Sequence, residues 1–136
     1  MVCCALYSLW ARRELDGADH GWERAVDALR EIYGPSGEYR RELEEGLRPD
    51  DDSGVFSRDG AVACLHKARL ATMEPDFEST ARRAILFGHD TDTTASLACG
   101  IAGVRHGVQG VTERWWKALR GKQILVPILE RWLGRV

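Results

Sequence analysis

Ala84-Ile85-Leu86-Phe87-Gly88-His89-Asp90-Thr91-Asp92-Thr93-Thr94-Ala95-Ser96-Leu97-Ala98-Cys99-Gly100-Ile101-Ala102-Gly103 joins two helical patterns through a short run of aspartate and threonine. Before the run, a helix starting near Pro75 or Asp76 turns Phe77, Ala81, Ala84 and Ile85 inward and stops at Gly88. After it, Ala95 to His106 reads as a helix in which Gly100, Gly103 and Gly107 join Ala95, Ala98 and Ala102. Side chains this small let neighbouring helices approach closely, so a central position is expected.

The rest of the chain carries the same period. Trp22, Ala25, Val26, Leu29, Ile32 and Tyr33 recur at helical steps until Gly34-Pro35. Val2 to Leu15 is apolar around most of its circumference, as in a helix packed on several sides. Tyr39, Leu43 and Leu47 mark a short polar helix, followed by a loop whose Asp50-Asp51-Asp52 reads as a solvated turn. Ser57 is placed to cap a helix running to about Met73. Trp115, Trp116 and Leu119 belong to a short helix closed by Gly121, and Ile124 to Leu133 to a last one containing Pro127. No alternating run would make a strand, so the expected class is all-α, a multi-helix bundle in one domain over 1–136.

The Asp-Thr run has two readings. Asp90 or Asp92 can cap the following helix and complement its dipole. Alternatively, both carboxylates and Thr93 converge on a hard divalent cation, which requires a turn entering the helix; Gly88 can supply it. An EF-hand loop from Asp90 would need glycine and glutamate where Ala95 and Ile101 stand. The DxDx[TV] nucleophile pattern of haloacid-dehalogenase-type phosphatases needs a parallel sheet and distant downstream motifs, for which too little chain follows Thr94.

Composition narrows the classes further. With 136 residues, 44% hydrophobic and 29% charged, the chain can bury a core. Its net charge of −2 gives no electrostatic default toward nucleic acid. No apolar run reaches the roughly eighteen residues that span a bilayer, so no membrane is expected. Cysteines at 3, 4, 64 and 99 form no CxxC pair and fit reduced thiols in the cytoplasm. Cys64 and His66 lack a second pair at finger spacing, which argues against zinc.

The stretch from Ala84 to Gly103 resembles the C-terminal signature of the ADP-ribosylglycohydrolase family, where Gly-Gly-Asp-Thr-Asp-Thr leads into a glycine- and alanine-rich helix. The segments Val104 to Gly107 and Val111 to Trp115 are similar to the family's continuation toward a Pro-x-x-Trp element, with Thr112 in place of proline. Ser53-Gly54 and the helix to Met73 are similar to the helix preceding the metal motif.

The resemblance implies an all-α hydrolase that cleaves ADP-ribose from a modified macromolecule, using a pair of Mg²⁺ or Mn²⁺ ions. Carried over by position, Asp90 binds one metal, Asp92 bridges both, Thr93 adds a hydroxyl, and Gly54 and Val55 fall on the adenosine side of the cleft. Two family elements, Thr/Ser-Asp-Asp and Gly-Asp-Ala-x-Gly, have no counterpart in this sequence, and His89 replaces the second glycine. The expectation is therefore a C-terminal portion of the fold, with half the metal ligands, no catalytic acid or base of its own and weak or no activity alone. The implied partners are an ADP-ribosylated macromolecule or an ADP-ribose-like small molecule, with a complementary N-terminal chain or a second copy completing the site. The alternative is a non-catalytic helical interaction module derived from that family.

Overall fold

The computed structural model describes residues 1–53 and 60–134, and among them there are helices and turns but no strand. The order is α1 (Val2–Leu15), α2 (Gly21–Tyr33), α3 (Glu38–Arg41) continuing into a π-helical turn (Glu42–Leu47), α4 (Gly60–Ala71), α5 (Phe77–Leu86), α6 (Thr91–His106), a 3-10 turn (Val108–Gly110), α7 (Glu113–Ala118) and α8 (Lys122–Trp132). The all-α expectation holds. Ser57, read as a cap, lies outside the described residues.

The buried side chains form two cores. The larger gathers Val2, Leu6 and Trp10 of α1, Trp22, Ala25, Val26 and Leu29 of α2, Leu43 and Leu47 of the π-helical turn, Leu65 of α4 and Ile101 of α6. Trp10 and Trp22 meet edge to face at 5.2 Å, the arrangement their ring quadrupoles favour. The smaller core consists of Ala68 and Ala71 of α4, Ala84 of α5 and Ala98 of α6, so these helices approach closely. As its small residues predict, α6 is central and packs against α1, α4 and α5.

Several expected faces differ. On α1 the fully buried residues are Val2, Leu6 and Trp10, a single i, i+4, i+8 stripe, while Cys4 is exposed, so this helix is covered on one side. Ile32 and Ile85 point outward, each just past the edge of its helix's buried stripe, and Thr80 takes the inward place on α5. The fourth helix ends at Ala71, and Leu119 falls beyond the end of α7.

The acidic loop is solvent-facing as expected, with Asp50 exposed, and each of its aspartates is also paired. Asp50 meets Arg30 at 2.5 Å, Asp51 pairs with Arg48, and Asp52 receives Arg69 at 2.8 Å. The buried His66 donates from Nε2 to the Leu47 carbonyl at 2.9 Å, with Nδ1 3.3 Å from Asp52. These bonds fasten the loop to α2 and α4. At the far end of α6, Arg105 grips Glu14 through two bonds of 2.7 and 2.8 Å and the Thr72 carbonyl through a third. No helix among the described residues is long and apolar enough to cross a membrane.

Candidate functional site

The chain turns from α5 into α6 through two successive left-handed residues, Gly88 at φ +70° and His89 at φ +59°. Glycine adopts this conformation freely, whereas a residue with a Cβ loses roughly 1–2 kcal/mol. His89 therefore keeps a backbone suited to glycine while carrying an exposed ring.

Asp90 follows as the N-cap of α6, its side chain accepting from the Thr93 backbone N–H at 3.4 Å. The capping reading holds at this residue. It also starts the helix at Thr91 instead of Ala95, so Asp92 and Thr93 occupy the first turn. The Asp90 carboxyl is held below the usual aspartate range, foremost by the Thr93 hydroxyl and next by its contact with Asp92. Asp90, Asp92 and Thr93 are thus brought together at the head of one helix, where the partial positive charge of the macrodipole favours ionised carboxylates.

Beneath this cluster lies a layer that spacing along the sequence does not indicate. The buried Cys64 of α4 places its Sγ 3.5 Å from Asp90 Oδ2. Thr94, also buried, interacts with the same thiol. Cys64 and His66 address opposite sides of α4, one toward Asp90 and the other toward Leu47 and Asp52, so they do not form a zinc site. Lys67, 3% exposed, lies one turn along α4 and acts electrostatically on the thiol.

Two hollows flank the head of α6. Asp92, Thr93, Ser96 and Leu97 line an open groove of about 320 Å³. Thr93 and Leu97 also wall a cavity of about 250 Å³ whose other side is Cys3, Cys4, Tyr7 and Ser8 of α1 with Ala61 and Leu65 of α4. Tyr7 donates to the Leu97 carbonyl at 3.2 Å and so fixes that wall. The contribution of α1 arises from tertiary packing and has no local sequence signal. Gly54 and Val55 lie outside the described residues.

Asp90, Asp92 and Thr93 offer two carboxylates and a hydroxyl, oxygen donors of the kind that hard divalent cations take. Among the described residues no three His, Cys, Asp or Glu side chains form a group that could hold a metal ion. The family model described as ADP-ribosylglycohydrolase matches residues 1–136. Neither the curated proteins nor the solved structures give a match.

Proposed function

Because the chain belongs to the ADP-ribosylglycohydrolase family, we propose that the head of α6 is one half of a glycohydrolase metal site. In this reading Asp90, Asp92 and Thr93 hold a single Mg²⁺ or Mn²⁺ weakly. The isolated chain then releases ADP-ribose from modified macromolecules slowly or not at all. The observation that supports it is the meeting of Asp90, the N-cap of α6, with Asp92 and Thr93 of the first turn.

The two carboxylates carry −2, against +4 for a pair of divalent ions. One ion is balanced and two are not. A bound cation would supply Lewis acidity, orienting ribose hydroxyls and activating water for attack at the anomeric carbon. Asp92 and Thr93 face the open groove and would meet substrate there. Asp90, held ionised, is suited to ligation and unsuited to donating a proton to a leaving group. Gly54 and Val55 remain the proposed adenosine side, and the cytoplasm the proposed location.

Calorimetric titration with Mn²⁺ on wild type and Asp92→Ala tests this reading, alongside ADP-ribose release from a modified protein. Weak binding that vanishes in Asp92→Ala, with little release, is expected. Tight stoichiometric binding by the lone chain would overturn the half-site. The interaction-module alternative has its own support: Ile124, Leu125, Ile128 and Trp132 form an exposed apolar stripe on α8. Self-association or partner binding that survives Asp92→Ala but is lost in Ile128→Asp would favour it.

A further inference from the structure

We propose that Cys64 is a positioning residue for Asp90, its buried thiol fixing the plane of the carboxylate that faces the cation. The inference rests on the metal-site reading of the α6 head. A carboxylate on an exposed aspartate rotates easily, because its terminal torsion has only broad, shallow preferences. Here Asp90 is exposed yet held at both oxygens: Oδ1 accepts from the Thr93 N–H at 3.4 Å and Oδ2 from the Cys64 thiol at 3.5 Å. The first bond comes from the residue's own helix and the second from α4, so the carboxylate is referenced to the core. Each carboxylate oxygen has a second lone pair, which stays available to a ligand.

Cys64 itself is immobilised. It is 2% exposed, and its bond partner Asp90 lies at the head of α6, where Thr94 is also fully buried. A carboxylate only accepts, so in the 3.5 Å contact between Sγ and Asp90 Oδ2 the thiol is the donor. Cys64 therefore acts through Asp90, as a donor to the ligand. Partners of this kind, one shell behind a ligand, typically change metal affinity by about 10–100-fold when removed.

The test is Mn²⁺ titration of the full chain by calorimetry and electron paramagnetic resonance, on wild type, Asp90→Ala, Cys64→Ala and Cys64→Ser, with thermal melts of each. Wild type is expected to bind and Asp90→Ala to lose binding. Cys64→Ala should bind at least about tenfold more weakly, while Cys64→Ser, which keeps a donor, stays close to wild type. Because Cys3, Cys4 and Cys99 are also free thiols, titration with Cd²⁺ compares wild type with Cys64→Ala, and the same sulfur-to-cadmium charge-transfer absorption is expected in both. Equal affinity in Cys64→Ala, or equal weakening in both Cys64 variants, would overturn the positioning role. A charge-transfer band that wild type shows and Cys64→Ala lacks would overturn it by making Cys64 a ligand. Absence of Mn²⁺ binding in wild type would instead remove the metal-site reading on which it stands.

Discussion

His89 stands at φ +59° in a turn that Gly88 opens at φ +70°. Replacing it by glycine relieves the left-handed strain but increases the freedom of the unfolded chain, two effects of similar size and opposite sign. The net expected for His89→Gly is a gain of under about 1 kcal/mol in urea unfolding. Glu14, whose side chain is 8% exposed, is the acceptor for both Arg105 and the Trp10 indole. Glu14→Gln should cost about 2 kcal/mol, the scale of a hydrogen bond to a charged group. Burial pushes the Glu14 carboxyl upward, yet the bonds from Arg105 and Trp10 outweigh it and leave it below its ordinary value. Its contribution is then complete above the unfolded value of about 4.3 and is lost as pH falls through the lower folded one. Urea midpoints measured across that window should fall with acid in wild type and fall less in Glu14→Gln. The sequence displays Asp90, Asp92 and Thr93 because they are neighbours. It hides Cys64 and Arg105, whose partners are 26 and 91 positions away.

Among the elements, α6 is the one whose role is most visible in its composition. Small residues mark a helix that others approach, and the structure surrounds it with α1, α4 and α5. What composition does not show is which glycine matters for which neighbour. A Cβ on Gly100 would overlap the Tyr7 hydroxyl, with the Tyr7 Cζ at an ordinary 3.6 Å. Displacing that hydroxyl from the Leu97 carbonyl opposes the roughly 1 kcal/mol that alanine gains over glycine inside a helix, so Gly100→Ala should leave a net cost of under about 1 kcal/mol. In a Tyr7→Phe background, which removes the colliding oxygen, the same change should cost clearly less, a coupling that a double-mutant cycle of unfolding free energies reads directly. Helix ends are less legible than helix middles. Several residues near position 90 could cap α6, and the choice of Asp90 rests on its bond to Thr93 and on the turn before it. The π-helical turn at Glu42–Leu47 is also hidden, because Leu43 and Leu47 satisfy an α-helical spacing as well as the wider one observed.

Over the whole molecule, burial is uneven. Between them the two cores draw on α1, α2, the π-helical turn, α4, α5 and α6, whereas α7 and α8 contain no fully buried residue. Pro127 within α8 also lacks the N–H that would bond back to the Gln123 carbonyl. Amide hydrogen exchange should accordingly be slowest in α4 and α6 and fastest in α7 and α8, with α8 opening independently of global unfolding. Uniform protection along the chain would contradict this division. The fold class was legible because every apolar pattern had a helical period. The fastening of Asp50, Asp51 and Asp52 to arginines of three different segments was not, since charge alone does not reveal which cation lies opposite.

The double employment of Asp90 has a thermodynamic consequence. The carboxylate that terminates α6 is the one a cation would recruit, so occupancy and capping draw on the same pair of oxygens. An ion that takes the second lone pair of Oδ1 draws charge from the bond to the Thr93 amide, and that cost lowers the affinity itself. The rise in melting temperature on saturation with Mn²⁺ should then equal the shift that ligand linkage gives for the measured affinity, with no separate loss from the cap.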